Sequence, residues 1–241
     1  MINNLSIIYP IYNESKRLKF ILSDIEKFNK KTKFLKKEYI FVDDGSSDKS
    51  KLILYNFLKR NRQTGIIYKI ISYKKNKGKG FALKKGVFSS SKKWILTTDA
   101  DCSVSNFQIL NWIKKKYIVN NLKIYFGSRL HFDSKVKKIK SREIIGSIFR
   151  LIIYFLFDIK ILDTQCGFKL YEAKVAKKIF KRIKTNGYLH DIEIVIISKK
   201  LSIKIKELPL KWIHKTDGKI NFLTDFTKII ISLLKIRLNR Y

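Results

Sequence analysis

Four times between Leu5 and Val119, a short apolar segment is followed by a polar turn and then by a segment that reads as a helix. The apolar segments are Leu5–Tyr9, Tyr39–Val42, Ile66–Ser72 and Trp94–Leu96. Short apolar runs bounded by turn residues predict buried strands. Successive strand–turn–helix units predict an α/β chain with a doubly wound, mainly parallel sheet. A length of 241 residues with 45% hydrophobic residues is enough to build one such domain.

The apolar positions also predict how the first elements pack. Apolar residues three or four positions apart form one face of a helix, and this spacing occurs at Leu18, Ile21, Leu22, Ile25 and Phe28. In the second unit we expect the helix to carry Leu52, Tyr55 and Leu58. Pro10 is expected to end the first strand, because proline cannot donate to the ladder of a central strand.

The polar turns are the candidate functional elements. In an open α/β sheet, the turns that follow parallel strands lie at the same edge, where ligands bind. We therefore expect the turns to meet in one crevice although they are far apart in sequence. They contain Tyr12–Glu14, Asp43 with Asp44, Asn76–Gly80, and Asp99 with Asp101. Aspartate is also common in turns and at helix starts, so each acid alone could have only a local role.

Asp99 and Asp101 form the most specific of these features. They follow the apolar run Trp94–Leu96 and are separated by one alanine. Carboxylate oxygens are hard ligands that suit Mg²⁺ or Mn²⁺, and these ions are commonly shared between carboxylates and substrate phosphates. The pair is therefore predicted to bind Mg²⁺ or Mn²⁺.

The composition is strongly basic. The chain has 53 Lys and Arg against 19 Asp and Glu, a formal net charge of +34. This balance favours anionic partners such as nucleic acid, anionic lipid surfaces or phosphorylated substrates. Solvated lysine faces spread along the chain explain it equally well. A basic nucleic-acid-binding protein remains an alternative, but it does not explain the paired acids at strand ends, so we expect no nucleic-acid partner.

Two further features bear on location. Two cysteines are too few for a disulfide framework and favour a reducing, cytoplasmic setting. No stretch reaches the roughly 18 uncharged apolar residues of a spanning helix. Residues Ile144–Leu162 and Phe222–Leu238 are apolar segments with basic neighbours. They are expected either to lie on a membrane surface or to pack in the core.

The motifs together carry a family resemblance. In order, Pro10–Glu14, Val42–Asp48, Asn76–Gly80 and Asp99–Asp101 resemble the signature of inverting family 2 glycosyltransferases of GT-A fold. Asp163–Leu170 and Leu208–Trp212 resemble segments of dolichyl-phosphate β-glucosyltransferases and their bacterial polyprenyl-phosphate relatives. The resemblance implies a single GT-A domain over residues 1–241. Within it, residues 1–130 would bind the nucleotide sugar, and residues 131–241 would form the acceptor and membrane-proximal part.

The resemblance also implies roles for individual residues. Donor-binding residues would be Pro10, Tyr12, Asn13, Glu14, Asp43, Asp44, Lys77, Lys79 and Gln165. Cations for the pyrophosphate or the acceptor phosphate would be Arg129, Arg142 and Lys219, and metal ligands would be Asp99 and Asp101. Asp191 would face the acceptor. A sugar hydroxyl acceptor needs a base there, whereas a polyprenyl phosphate is already anionic, in which case Asp191 would orient the site.

These roles imply an enzyme that moves a hexose, with glucose favoured, from a UDP-sugar to a polyprenyl or dolichyl phosphate. The expected location is cytoplasmic and peripheral, on the inner face of the membrane. The alternative within the family is a saccharide hydroxyl acceptor, as in surface-polysaccharide synthesis.

Overall fold

A computed structural model of the protein describes residues 2–61, 65–119, 121–136, 140–213, 222–239 and 241, and their side chains except those of 140–145 and 222–228. The strands are β1 (Asn4–Ile11), β2 (Lys36–Asp43), β3 (Ile67–Ser72), β4 (Trp94–Thr97), β5 (Ile124–Ser128), β6 (Lys135–Val136), β7 (Lys169–Glu172), β8 (Ile205–Pro209) and β9 (Lys211–Trp212). The helices are α1 (Ser15–Lys31), α2 (Ser50–Arg60), α3 (Lys79–Ser89), α4 (Phe107–Lys114), α5 (Lys140–Phe157), α6 (Ala173–Arg182), α7 (His190–Lys200) and α8 (Phe222–Leu238).

Within these residues, seven strands form one mixed sheet in the order β3-β2-β1-β4-β7-β5-β8. Strand β7 runs antiparallel to both of its neighbours, β4 and β5. The remaining neighbours in the sheet pair in parallel. Strands β6 and β9 form a separate parallel pair. The predicted α/β class with a mainly parallel sheet is confirmed, and the antiparallel β7 is the feature that the sequence did not predict.

The sheet is covered by helices on both faces. Side chains of a strand alternate between faces, and in β1 Ile7 and Tyr9 enter one apolar cluster while Ile8 enters the other. Helices α1, α2 and α4 contribute to the first cluster, and α3, α5, α6, α7 and α8 contribute to the second. This two-sided burial explains why the central strands are continuous apolar runs rather than alternating ones.

The helix predictions differ in their outcome. The predicted apolar face of α1 is buried as expected, from Leu18 to Phe28. The predicted helix with Leu52, Tyr55 and Leu58 is present as α2, and Leu58 packs against the first cluster, but Leu52 and Tyr55 are exposed and the buried apolar residues are Leu54 and Phe57. Its apolar residues occupy nearly every position, so their spacing did not determine which of them faces the sheet.

The expected end of β1 at Pro10 is also wrong, because the strand continues to Ile11. The backbone of Ile8 faces β4, where its carbonyl accepts from the Thr98 N–H. By alternation, Pro10 faces the same side. The ladder between β1 and β4 ends at the pair of Ile8 with Thr97. The N–H that proline lacks is therefore not needed at this position.

The two C-terminal amphipathic segments each bury one face. Phe149 and Ile153 of α5 and Leu233 and Ile236 of α8 belong to the second apolar cluster. A second set of large apolar side chains on the same helices is exposed, namely Ile148, Leu151, Tyr154, Phe155, Ile231, Leu234 and Leu238. Among the described residues, none of the helices has the length and apolar character needed to cross a membrane.

Candidate active site

The two acids of the strand-end pair lie immediately after β4. The Thr98 N–H donates to the Ile8 carbonyl at 3.1 Å, which continues the alignment of the two strands up to the acids. One Asp101 carboxylate oxygen accepts from the Ser103 N–H at 2.8 Å. Cys102, between Asp101 and Ser103, has a left-handed backbone with φ of 57°. The turn therefore fixes the orientation of Asp101 four residues after the end of β4.

A small cavity of about 30 Å³ opens beside these acids. Its lining residues include Asp99, Asp101, Ser103, Arg129, Gln165 and Trp212. The Ser103 hydroxyl is buried there and makes no hydrogen bond within the described residues. A cavity of this size holds about one water or ion. Two carboxylates beside an unsatisfied hydroxyl are suited to a divalent cation such as Mg²⁺ or Mn²⁺.

Other protein ligands for such an ion are few. No group of three or more His, Cys, Asp or Glu side chains with metal-binding geometry occurs in the described part of the chain. Asp99 and Asp101 remain the two carboxylates predicted to hold the ion. Mg²⁺ is commonly bound by one or two carboxylates, with substrate phosphates and water filling the other positions.

Gly167 supports Asp99 from behind. A Cβ added at this position would lie 2.4 Å from both carboxylate oxygens of Asp99. Contacts of this length are well inside van der Waals distance, so any larger residue would displace the carboxylate. The segment that connects α5 to β7 therefore sets the position of a predicted metal ligand.

Lys79, at the start of α3, reaches the same acid. Its ammonium lies 2.6 Å from Asp99 Oδ1. Burial by itself would lower the pKa of Lys79, but the charges of Asp99 and Asp191 outweigh it and raise the pKa. Lys79 is therefore positively charged at physiological pH, next to the predicted metal position.

The turn that carries Lys79 is held by Asp44. Its carboxylate accepts from the Lys77 N–H at 2.8 Å, from the Gly78 N–H at 2.8 Å and from the Asn76 amide at 3.0 Å. The Lys77 ammonium lies 4.7 Å from the centre of the Phe81 ring. Asp44 thus connects the turn after β2 to the turn after β3.

The glycines of this turn allow close packing against another loop. Gly78 has φ of 100°, and a Cβ there would lie 2.6 Å from the Asn186 carbonyl oxygen. A Cβ at Gly80 would lie 2.7 Å from the Thr185 carbonyl oxygen. These two glycines therefore bring the start of α3 against the loop before α7.

The turns after β1 and β2 are also joined. Asn13, with φ of 50°, accepts from the Ser47 N–H at 2.8 Å through its side-chain oxygen. Asp43 is buried and accepts from the Ser46 N–H at 3.1 Å and the Ser72 hydroxyl at 3.0 Å.

Tyr12 and Glu14 flank Asn13 in the same turn. Glu14 binds the Arg17 guanidinium through both carboxylate oxygens, at 2.5 and 2.7 Å. Tyr12 keeps 39% of its surface exposed, so its ring is accessible at this edge of the sheet.

Arg129, directly after β5, forms a two-pronged ion pair with Asp163. Its Nε and Nη2 donate to the two carboxylate oxygens at 2.7 and 2.8 Å. Burial would lower the pKa of Arg129 and raise that of Asp163, but the hydrogen-bonded pairing outweighs burial in both and shifts each pKa the other way. Both groups are therefore charged.

Asp191, the predicted acceptor-facing acid, is buried at the start of α7. Its Oδ1 accepts from the ammonium of the buried Lys169, which also donates to the Thr164 carbonyl at 2.9 Å. Burial would raise the pKa of Asp191, but the neighbouring His190, Lys169 and Lys79 outweigh it and lower the pKa. Burial also lowers the pKa of His190, although the charge of Asp191 opposes that shift.

The turns predicted to converge do meet at one edge of the sheet, through Asn13 with Ser47, Asp44 with Lys77, and Lys79 with Asp99. Gln165 lines the cavity beside the acids. Pro10 lies inside β1. Lys219 and the side chain of Arg142 lie outside the described residues. The roles of all these residues in binding stay predictions.

Two charged residues at the site were not singled out from the sequence, Asp163 and Lys169. Both lie in the segment Asp163–Leu170 that carries the family resemblance. Each is almost fully buried, which is rare for charged residues unless they are paired. Their position in an otherwise uncharged segment was the available signal.

Comparison with known proteins agrees with this geometry. The family model described as Glycosyl transferase family 2 matches residues 6–180. Dolichyl-phosphate beta-glucosyltransferases are similar along 97% of this chain, with 33% identity in Dictyostelium discoideum, 32% in Saccharomyces cerevisiae and 31% in Homo sapiens. The alignments cover 73%, 74% and 75% of those proteins.

Solved structures show the same fold at lower identity. Glucosyl-3-phosphoglycerate synthase from Mycobacterium tuberculosis, in complex with Mn²⁺ and UDP-glucose, has a TM-score of 0.65 at 15% identity, covering 98% of this chain and 79% of that one. Mannosyl-3-phosphoglycerate synthase from Rubrobacter xylanophilus has a TM-score of 0.66 at 15% identity, with coverage of 98% and 74%. These likenesses confirm the predicted GT-A fold. The match to the family model and the full-length relatives show that the chain belongs to glycosyl transferase family 2.

Proposed function

We propose that the chain transfers glucose from UDP-glucose to a polyprenyl phosphate of the dolichyl type, with inversion at the anomeric carbon. The observation that carries this proposal is the cavity where Asp99 and Asp101 meet Arg129, with Lys79 bound to Asp99. Where the diphosphate of a nucleotide sugar meets an anionic acceptor, acids are needed to hold a metal cation, and cationic side chains are needed to bind the phosphates. The relatives named dolichyl-phosphate beta-glucosyltransferase support the choice of sugar and acceptor.

Asp99 and Asp101 are proposed to hold a divalent cation, Mg²⁺ or Mn²⁺. When bound, such an ion neutralises the negative charge that develops on the departing UDP. Lys79 supplies a second positive charge at the same place. Tyr12, Asn13, Glu14 and Asp43 are proposed to bind the uridine at the neighbouring turns, where carboxylates and amides can accept from the imide and ribose groups.

The acceptor phosphate is proposed to be its own nucleophile. One of its oxygens forms a bond to the anomeric carbon of glucose, while the bond from that carbon to the UDP oxygen breaks and its electrons leave with UDP. An α-linked donor gives a β-linked product. Asp191 is buried with a lowered pKa, which makes it a weak base. A phosphate that is already anionic does not need one, so Asp191 is proposed to orient the site through its bond to Lys169.

The donor part is proposed to lie in residues 1–130 and the acceptor part in residues 131–241. Peripheral membrane binding is proposed for the exposed apolar faces of α5 and α8, because the acceptor is a membrane lipid. Leu151 and Phe155 on α5 are 57% and 76% exposed, and apolar side chains on an amphipathic helix can enter the acyl boundary of a bilayer. The cytoplasmic location stays a prediction.

The direct test is a panel of nucleotide sugars with a short-chain polyprenyl phosphate, with Mg²⁺, Mn²⁺ or a chelator, and with product detected by mass. We expect a lipid-linked hexose with UDP-glucose and either metal, and none with the chelator. Absence of lipid-linked product with every donor and both metals would contradict the proposal.

Replacement of Gly167 by alanine tests the acid pair as a metal site. The added Cβ would push the Asp99 carboxylate aside, so Gly167→Ala is expected to weaken Mn²⁺-dependent UDP binding by at least about tenfold, or about 1.4 kcal/mol, in titration calorimetry. Gly187→Ala is the control, since a Cβ there meets no atom within 4 Å. Binding by Gly167→Ala as tight as that by wild type would count against Asp99 as a ligand.

Vesicle sedimentation tests the membrane surface. The double variant Leu151→Gln/Phe155→Gln is expected to lower the fraction bound to vesicles containing anionic lipid by about tenfold or more, because roughly 1.5–3 kcal/mol per large apolar side chain is lost from burial. Phe34→Gln, at a phenylalanine that is 66% exposed on another part of the surface, is the control. Equal sedimentation of both variants and wild type would exclude this face of α5 as the binding surface.

A further inference from the structure

Asp163 holds Arg129 by three hydrogen bonds. Besides the two guanidinium contacts, the Arg129 backbone N–H donates to Asp163 Oδ2 at 2.9 Å. Asp163 is 4% exposed, so its carboxylate is committed to this contact and is not a solvent-facing group. The backbone and the side chain of Arg129 are therefore fixed by one acid.

Asp163 is itself anchored to the sheet. The N–H groups of Leu162 and Asp163 donate to the two carboxylate oxygens of Glu207, at 2.8 and 2.9 Å. Glu207 lies in β8, in register with Phe126 of β5, the strand that ends just before Arg129. The acid and the arginine that it holds are thus tied to two adjacent strands, which makes the arrangement rigid.

The pairing leaves one edge of the guanidinium unused. Nε and Nη2 bind Asp163, and Nη1 has no hydrogen-bond partner within the described residues. Arg129 keeps 35% of its side chain exposed and lines the cavity beside Asp99. The Trp212 ring lies 6.0 Å from the guanidinium carbon. The acid on one edge and the ring nearby restrict the guanidinium of a residue that lines the cavity.

We propose that Asp163 is a positioning residue of the transfer reaction, which holds Arg129 so that its free edge binds the acceptor phosphate. This inference rests on the proposed function. Two anions would meet at the site, and Lys79 together with a cation held by Asp99 and Asp101 would serve the donor diphosphate. Among the described residues that line the cavity, Arg129 is the cation that remains for the acceptor. Guanidinium groups bind phosphate with directional hydrogen bonds, so a fixed orientation matters more here than charge alone.

The test is a double-mutant cycle with Asp163→Asn and Arg129→Lys, measured as KM for a short-chain polyprenyl phosphate, KM for UDP-glucose, and kcat. Asp163→Asn is expected to raise the acceptor KM about tenfold with less than a threefold change in the donor KM. Arg129→Lys is expected to do the same. The acceptor KM of the double variant is expected to be little higher than that of either single variant, because both changes disrupt the same pair of Arg129 with Asp163.

Glu38→Gln is the matched control. Glu38 is a fully buried acid with a lysine partner, Lys69 at 2.9 Å, and a backbone N–H donor, that of Ser91. It lies in β2, and none of its contacts is with the groups of the cavity. Its variant is expected to lower the melting temperature and to leave both KM values unchanged. If Asp163 only stabilised the fold, Asp163→Asn would likewise lower the melting temperature and leave both KM values unchanged.

Asp163→Asn is expected to fold, because asparagine keeps one acceptor oxygen and the partly exposed Arg129 can reach solvent. If it does not fold, Glu207→Gln loosens the same anchor and is expected to raise the acceptor KM alone, by about threefold. An unchanged acceptor KM in the folded variant, or additive effects in the cycle, would overturn the positioning role. A wild-type protein with no transfer at all would instead overturn the proposed function.

Discussion

The alternation of negative and positive side chains is the constraint on which the site depends. Asp99 pairs with Lys79, the positive charge of Lys79 also acts on Asp191, and Asp191 pairs with Lys169. Lys169 and Asp191 are both almost fully buried, and removal of one partner from a buried pair typically costs about 3–5 kcal/mol. The neighbouring charges raise the pKa of Lys79 and lower the pKa of Asp191, which keeps both groups ionised.

The segment Asp163–Lys169 connects this arrangement to the rest of the fold. Gly167 touches the Asp99 carboxylate, Asp163 holds Arg129, and Lys169 holds Asp191. Asp99 follows β4, Arg129 follows β5, and Asp191 lies at the start of α7. One short segment thus sets the relative positions of residues from three different parts of the fold.

The parts of the fold and site that were predictable from sequence are those set by local pattern. The apolar face of α1 and the strand–turn–helix order follow from spacing, and the convergence of the turns follows from parallel pairing. The facing of α2 and the course of β1 through Pro10 depend on the sheet, because each is decided by what lies beside the element. The partners Asp163 and Lys169 were missed for the same reason: only the antiparallel insertion of β7 between β4 and β5 brings them to the site.

The central claim is that the acceptor phosphate attacks without a protein base, because Asp191, the acid predicted to face the acceptor, is buried, paired and weakly basic. The most direct measurement is kcat of Asp191→Asn with UDP-glucose and a polyprenyl phosphate at saturation. Asparagine keeps an acceptor for Lys169, so the account predicts a kcat within about tenfold of wild type. A loss of about 10³-fold or more in a folded variant with unchanged substrate affinities, the size expected for a missing general base, would contradict it.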